Sequence, residues 1–352
     1  MTDGGTMAVA SAAVGPDVVA WLLAVLALSA LMGAAAIPPV ARLATARGWL
    51  DRPGGHKSHD APVPYLGGLA VVVAVLAGAA LAAATLDVDA RLVWGILGIA
   101  TGVGVVGLVD DLREVSVVVR LAVEVAAGLA LYAVGARAQL AFVPGVDVAV
   151  TVLWVVGVTN AVNLVDNMDG LSSGVAAVAA AGIAIIAAAN GQADVAAIAV
   201  AVVGACLAFL RANRHPARIH LGDAGALFVG VVLAALAMAL RFDAPRSITF
   251  AVPIMILGVP LFDMALVVAH RLRVGRSPFM GGRDHTSHRL TAVGIPVPAA
   301  VTLIHGAGLA LSWLALVLSR VDATTGLILQ AFVVAAGALA FVLLSRVPVD
   351  DR

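Results

Sequence analysis

Acidic residues at the ends of long apolar runs are the features of this sequence that could carry out chemistry. Two such runs end in GLVDD, with Asp110 and Asp111, and in NAVNLVDNMDG, with Asp166 and Asp169. A third run begins just after HLGDAG, which contains Asp223. A carboxylate near the edge of a bilayer is costly unless it has a partner, a metal or a substrate. Acids that are separated by whole spans and return to one face therefore predict a cation-binding active site.

The composition is that of a membrane protein with many spans. Hydrophobic residues make up 62% of the 352 residues and charged residues 12%, against about 25% charged in soluble proteins. The single cysteine, Cys206, excludes an intramolecular disulfide and a cysteine-rich metal site. The first fifteen residues lack the basic region of a signal peptide, so we expect the first span to be retained.

The apolar segments predict the fold class. A span needs about 20 apolar residues, and about eleven segments meet that length. They are residues 17–41, 66–86, 92–109, 117–136, 148–165, 171–190, 195–210, 224–240, 247–270, 295–319 and 325–345. We therefore predict an all-α polytopic membrane protein that forms one integral-membrane domain over residues 1–352.

The basic residues predict the orientation of these helices. Most of the arginines and the only lysine fall in alternate loops, which also hold the acids named above. Because basic loops stay in the cytoplasm, we expect the N-terminus outside, the C-terminus inside and the active site at the cytoplasmic face. Three charged residues, Arg120, Glu124 and Asp263, fall inside spans rather than in the loops.

The acidic segments leave more than one interpretation open. Asn160, Asn163 and Asp166 recur every three residues, so on a helix they share one broad face. That polar stripe should face a cavity rather than lipid, and the alternative is ordinary hydrogen bonding between helices. Asp223 lies between glycines at the start of a span, where it is either an N-cap or a ligand of a Mg²⁺ ion that bridges a diphosphate. Asp110 and Asp111 lie at the end of a span. Either they only mark the boundary of the span, or one of them acts as a base.

One further segment carries charge on the same side. GGRDHTSHR contains Arg283, His285, His288 and Arg289, which suit phosphate binding through charge-assisted hydrogen bonds; a solvated basic loop is the alternative. A zinc site is disfavoured, since no cysteine or third histidine is near in the sequence.

One acid falls inside the ninth span. Asp263 follows Pro253, Gly258 and Pro260, which predict a kinked helix. We expect this acid to be functional or to pair with Arg271 or His270.

Five motifs resemble, in order, those of the polyprenyl-phosphate N-acetylhexosamine-1-phosphate transferases. They are LDRPGGHKSHDAPVPYLGGLAV, GLVDDLREVS, NAVNLVDNMDGLSSG, NRHPARIHLGDAGALFVG and GRSPFMGGRDHTSHRL, over roughly residues 42–290. The family includes the undecaprenyl- and decaprenyl-phosphate GlcNAc-1-phosphate transferases, which start teichoic acid, arabinogalactan and O-antigen synthesis. Phospho-N-acetylmuramoyl-pentapeptide transferase is a relative.

The resemblance implies a reaction and a set of partners. The phosphate of a polyprenyl phosphate attacks the β-phosphorus of UDP-N-acetylglucosamine, UMP leaves, and polyprenyl-diphospho-GlcNAc stays in the membrane. The implied cofactor is Mg²⁺, with Mn²⁺ as a substitute, and the implied location is the bacterial plasma membrane. No nucleic acid is expected as a partner, and a homodimer is left open. Direct attack is favoured over a covalent aspartyl-phosphate.

The resemblance also implies roles for individual residues. Asp110 and Asp111 form the catalytic acidic pair, with Asp110 as the candidate base, and Asp223 is the metal ligand. Catalytic and nucleotide-contacting roles also fall on Asn163, Asp166 and Asp169. The substrate-binding residues are Lys57 for phosphate, Asn213 and His220 for uridine, and Arg283, His285, His288 and Arg289 for the sugar or diphosphate.

The sequence departs from the family at the donor side. It reads His285-Thr-Ser-His288 where three histidines are usual, and His220 replaces a Phe that stacks on uracil. Another UDP-sugar donor, including UDP-N-acetylmuramoyl-pentapeptide, is therefore the alternative within the class. A cation-coupled transporter is the alternative from another class.

Overall fold

The computed structural model describes residues 13–51, 62–138, 144–242 and 246–349, which form a helical bundle. The helices are α1 Pro16–Arg47, α2 Gly67–Thr85, α3 Ala90–Leu112, α4 Val117–Val134, α5 Pro144–Leu164, α6 Leu171–Ala189, α7 Ala193–Asn213, α8 Gly222–Ala239, α9 Arg246–Thr249, α10 Ala251–Ile256, α11 Gly258–Arg273, α12 Thr286–Ala292, α13 Val297–Leu318 and α14 Ala323–Ser345. Two short strands, β1 Leu50–Asp51 and β2 Val63–Pro64, pair antiparallel.

The predicted spans are helices, and the ninth is broken. Ten helices of the described chain are long and apolar enough to cross a membrane. The ninth predicted span is divided into α9, α10 and α11, with the last break at Leu257. Proline lacks the N–H that a helix needs, so Pro253 and Pro260 account for a discontinuity here. The polytopic all-α fold and the interruption of this span are confirmed.

Helix α8 lies at the centre of the bundle. It is apolar on all sides, as expected for a helix without a solvent-facing or lipid-facing surface, and 89% of its span is buried. It packs against α2, α3 and α5. At the other extreme, none of the α14 span is buried, and side chains such as Phe332 and Leu339 are exposed.

Glycines allow other helices to approach the N-terminus of α8 closely. A Cβ added to Gly68 of α2 would lie 2.2 Å from the backbone nitrogen of Gly225. A Cβ added to Gly107 of α3 would lie 2.4 Å from the carbonyl oxygen of Asp223. Because no side chain separates these backbones, the end of α3 is held against the first turn of α8.

The loops that carry the acids meet at one end of the bundle. Asp111 at the end of α3 and Asn163 at the end of α5 both contact Asp223 at the start of α8. Gly170, just before α6, donates its N–H to Asn213 at the end of α7. The prediction that the acids return to one face is confirmed, whereas the direction of that face relative to the membrane stays a prediction.

Candidate active site

A polar cavity of about 460 Å³ opens where these loops meet. Six carboxylates line it: Asp51, Asp110, Asp111, Asp166, Asp169 and Asp223. Other polar side chains complete its surface: Tyr65, Asn167, Asn213, His220, Arg283 and His288. The structure thus brings nine of the predicted site residues into one cavity.

Asp223 is held by side chains from two neighbouring helices. Its Oδ1 accepts a hydrogen bond from Asn163 Nδ2 at 2.7 Å. Its Oδ2 lies 3.2 Å from Arg120 Nη1. Asn163 therefore orients the carboxylate from behind and does not line the cavity. The interpretation of Asn163 as a hydrogen-bond partner between helices fits better than direct substrate contact.

Asp111 binds the N-terminus of α8. Its two carboxylate oxygens accept the backbone N–H groups of Asp223 at 2.8 Å and Ala224 at 3.0 Å. These are among the N–H groups that a helix leaves without an intrahelical partner, and a carboxylate is favourable there. Gly222 enters this turn at φ 73°, and a Cβ on it would lie 2.7 Å from Asp111 Oδ2. The N-capping contact exists, but Asp111 makes it and Asp223 does not.

Arg120 bridges two of the acids. Its Nη1 lies 2.7 Å from Asp110 Oδ2 as well as 3.2 Å from Asp223 Oδ2. The other oxygen of Asp110 accepts the N–H of Val115 at 2.7 Å, which fixes the turn into α4. Arg120 was not among the predicted site residues, although its position inside a span was the signal that could have identified it.

A second pair of polar residues lies behind this bridge. Glu124, one turn after Arg120 on α4, accepts a hydrogen bond from Asn160 of α5 and is 1% exposed. Asn160 and Asn163 thus bind acids on two different helices, and neither lines the cavity.

Asp166 lies in the turn between α5 and α6, close to the carboxylates of Asp111 and Asp223. Burial raises its pKa to about 7, and the nearby carboxylates of Asp223 and Asp111 add to this effect. The backbone N–H of Gly222 bonds to it and acts in the opposite direction. Burial and the same acids also raise the pKa of the Tyr65 hydroxyl. The cavity therefore carries a strong negative potential.

Asp169 and Asn213 fix the neighbouring loop. Asp169 Oδ2 lies 2.9 Å from His215 Nδ1 and accepts the N–H of Ala217 at 3.0 Å. Asn213 donates to the carbonyl of Ile219 at 2.9 Å and accepts from Gly170 at 3.0 Å. Both ends of the Asn213 amide are therefore engaged within the protein.

The segment of residues 281–289, called here the histidine loop because it contains His285 and His288, is anchored by two buried acids. Asp263 Oδ2 lies 2.7 Å from His285 Nδ1, and its Oδ1 accepts the N–H of Thr286 at 2.6 Å. Asp284 forms a two-point ion pair with Arg271, at 2.7 and 2.8 Å. Burial alone would raise the pKa of Asp284, but the hydrogen bonds and charge of Arg271 lower it. Asp263 is paired with His285, and Arg271, one of its expected partners, binds Asp284 instead.

The histidine loop presents Arg283 and His288 to the cavity. Burial, followed by the nearby charges of His285 and Arg283, lowers the pKa of His288 to about 4. His288 is therefore a neutral imidazole at neutral pH, and Arg283 supplies the positive charge of this surface.

Two predicted substrate-binding residues, His285 and Arg289, do not line the cavity. His285 is 4% exposed and bound to Asp263. Arg289 is fully buried and donates to the carbonyls of Asp284, Leu344 and Val347. The contacts of both residues hold the loop in place, and their contact with the substrate stays a prediction. Lys57 lies outside the described residues.

The donor set fits a divalent cation that also binds a phosphate. In the described part of the chain, no three His, Cys, Asp or Glu side chains are grouped so that they could hold a metal by themselves. Mg²⁺ does not require such a group, since it takes one or two carboxylates together with substrate phosphates and waters. Asp223 with Asp110, Asp111 or Asp166 would supply those carboxylates.

An acidic cavity whose donors suit a cation and a phosphate lies at one end of the apolar bundle. Comparison with known proteins identifies the family of the chain. Residues 93–241 match the model of Glycosyl transferase family 4. A Bacillus subtilis (strain 168) protein named "Probable undecaprenyl-phosphate N-acetylglucosaminyl 1-phosphate transferase" is 31% identical over 80% of each chain. The chain belongs to this transferase family.

Two other relatives extend the comparison. The "Decaprenyl-phosphate N-acetylglucosaminephosphotransferase" of Mycobacterium leprae (strain TN) is 28% identical over 70% of this chain and 71% of its own. A "Phospho-N-acetylmuramoyl-pentapeptide-transferase" of Geobacillus kaustophilus (strain HTA426) is 33% identical over 54% of this chain and 66% of its own. The first covers more of the chain than the second.

Proposed function

We propose that this protein transfers N-acetylglucosamine-1-phosphate from UDP-N-acetylglucosamine to a polyprenyl phosphate. The observation that carries the proposal is the acid-lined cavity with Arg283 and His288 on one side, at the end of a membrane bundle. The products are polyprenyl-diphospho-GlcNAc and UMP, and the reaction starts a cell-envelope polysaccharide. We place the site at the cytoplasmic face, because the loops that form it are the basic ones.

The charge of the cavity supports a requirement for Mg²⁺. Six carboxylates face a space that must also admit a phosphate and a diphosphate, and Arg120 is already bound to two of those acids. Two negative charges about 5 Å apart repel by about 3 kcal/mol at an effective dielectric constant of about 20, and a cation between them removes this repulsion. A bound Mg²⁺ would neutralise phosphate oxygens and hold them near Asp223. Mn²⁺ suits the same oxygen donors.

The protein's own groups mainly position the reactants. Phosphoryl transfer depends on alignment and on stabilising charge more than on covalent help from the enzyme. An acceptor phosphate is already ionised at neutral pH, so direct attack on the β-phosphorus does not require a strong base. Asp110, bound to Arg120 and Val115, is suited to orient the acceptor end of the site. Arg283 is suited to hold the oxygens of the diphosphate.

A large apolar cavity lies beside the polar one and suits the isoprenoid end of the acceptor. It has a volume of about 520 Å³ and lies between α11, α13 and α14. The two cavities are separated by a hydrogen bond of 2.6 Å from Ser287 to Asn167. Asn167 lines the polar cavity and Ser287 the apolar one. A lipid chain in the apolar cavity would therefore end close to the acids.

The decisive experiment measures UMP release by the purified protein with one polyprenyl phosphate and a panel of UDP-sugars. We expect turnover with UDP-N-acetylglucosamine, in Mg²⁺ and not in its absence. Turnover of only UDP-N-acetylmuramoyl-pentapeptide would reassign the donor. Ion transport by proteoliposomes without UMP release would establish the transporter instead.

Asp223→Asn tests the metal-binding role. This variant should keep the hydrogen bond from Asn163 but lose turnover in Mg²⁺, with an unchanged elution profile. Arg273→Gln, an exposed change at the same end, is the matched control. An Asp223→Asn protein that keeps most of its activity would remove Asp223 from the metal site.

A further inference from the structure

A second cavity system opens at the same end of the bundle, outside the acidic site. One part is a groove of about 470 Å³ between α1 and α7, lined by apolar residues such as Ala34, Ile37 and Ala208. The other part is a basic recess of about 460 Å³ in the loop after α7. Arg211 and Arg218 line both parts, so the apolar groove continues into the basic recess.

The basic recess holds cationic groups that are available to a ligand. Arg211, Arg214 and Arg218 are all exposed. Within the described ranges none of them is paired with a carboxylate, and the one side-chain bond among them runs from Arg218 to the carbonyl of Arg211. Three like charges this close together repel one another, and an anion between them would remove that repulsion.

We propose that this groove binds an anionic phospholipid, with an acyl chain between α1 and α7 and the phosphate on Arg211, Arg214 and Arg218. The apolar groove and the basic recess together select a ligand that has both an apolar chain and a negative head group. A soluble anion would leave the apolar groove unfilled, and a zwitterionic lipid would leave the arginines without a net negative partner. Basic pockets between helices on the cytoplasmic side are typical sites for anionic head groups.

The position of the recess links this lipid to the acidic cavity. His215 lies in the same loop and is bound to Asp169 at 2.9 Å, and the next loop N–H, from Ala217, bonds to the same oxygen. A phosphate held by Arg214 and Arg218 would fix this loop on both sides of His215. Lipid binding should therefore stabilise the position of Asp169.

The binding test uses the full-length protein in detergent and needs no catalytic assay. The protein is incubated with phosphatidylglycerol or phosphatidylcholine, and the retained lipid is counted by native mass spectrometry. We expect the wild type to retain phosphatidylglycerol in preference to phosphatidylcholine. The triple variant Arg211→Gln, Arg214→Gln, Arg218→Gln should retain at least tenfold less, on the order expected from losing one charge-assisted contact or more.

Two further variants separate a built site from a merely basic surface. Ala34→Trp fills the apolar groove and leaves every charge in place, and it should also reduce phosphatidylglycerol retention. Arg273→Gln with Arg346→Gln removes exposed charge at the same end, away from the groove, and should change nothing. Size-exclusion profiles and thermal unfolding check that each variant is folded.

Several outcomes would overturn the proposal. Retention by the triple variant equal to that of the wild type would remove the arginines from the site. An unaffected Ala34→Trp protein, or full displacement of the lipid by inorganic phosphate, would show that only a basic surface is present. Equal retention of phosphatidylcholine would exclude recognition of the negative head group. None of these results depends on which sugar nucleotide the acidic cavity uses.

Discussion

Replacing Arg120 with methionine tests whether the acidic cavity depends on a charge that lies within a span. Arg120 Nη1 is 2.7 Å from Asp110 Oδ2 and 3.2 Å from Asp223 Oδ2. The two carboxylate oxygens are therefore at most 5.9 Å apart, the total of those distances. At an effective dielectric constant of about 20, two negative charges at that distance repel by about 3 kcal/mol. Without Arg120, this repulsion must be relieved by protonation or by movement of Asp223.

The expected loss of activity follows from that energy. A penalty of about 3 kcal/mol on the active arrangement corresponds to a fall of about 100-fold in kcat/KM. The fall should be largest at low Mg²⁺ and should shrink as Mg²⁺ is raised, because a divalent cation can replace part of the missing charge. Arg120→Lys keeps the charge and should lose less activity than Arg120→Met.

The assay is UMP release over a range of Mg²⁺ concentrations. Arg113→Met is the matched control, since Arg113 is an exposed cation at the end of α3. Thermal unfolding in detergent checks the fold. If Arg120→Met remained within about threefold of the wild type at every Mg²⁺ concentration, the proposed role of this charge would be refuted.

Three other predictions concern the histidine loop and the apolar cavity. Arg271→Leu leaves Asp284 buried without its partner and should lower the free energy of unfolding by about 3–5 kcal/mol. The double variant Arg271→Leu, Asp284→Leu should restore most of that loss. Denaturation in detergent measures both variants. Burial and nearby charge lower the pKa of His288 to about 4, so this residue does not change charge between about pH 6 and 8. His288→Gln should therefore leave the pH profile of turnover unchanged over that range. A titration step that is present in the wild type and lost in this variant would contradict the prediction. Ala336→Phe narrows the apolar cavity and should raise the KM for a long polyprenyl phosphate by about tenfold. The KM for the UDP-sugar should not change. An equal rise in both KM values would argue against a lipid-chain site.

The spans were predictable from sequence because the length of an apolar run is a local property. The break in the ninth span was predictable as well, since Pro253 and Pro260 act on their own backbone. The burial of α8 was not predictable, because α8 is no more apolar than α14, although α8 is enclosed by other helices and the α14 span is not buried. Hydrophobicity does not distinguish a lipid-facing helix from one enclosed by other helices.

The acids of the site were identifiable from sequence, but their partners were not. Asn160 and Asn163 occur at helical spacing, yet one binds Glu124 on α4 and the other Asp223 on α8. Which neighbouring helix an amide reaches depends on how the helices are rotated against each other. The partner of Asp263 also depends on tertiary structure, because His285 lies 22 positions further along the chain, across a loop.

The N-terminus of α8 shows how these partners change the interpretation of the site. A helix N-terminus preceded by glycine is favourable for a substrate phosphate. Here its first N–H groups are already bound by the protein's own acids: Gly222 by Asp166, and Asp223 and Ala224 by Asp111. The start of α8 therefore positions carboxylates rather than phosphate. In the proposed reaction, the diphosphate would therefore be held by Arg283 of the histidine loop and by the proposed divalent cation, which would allow a cavity rich in acid to accept two anionic substrates.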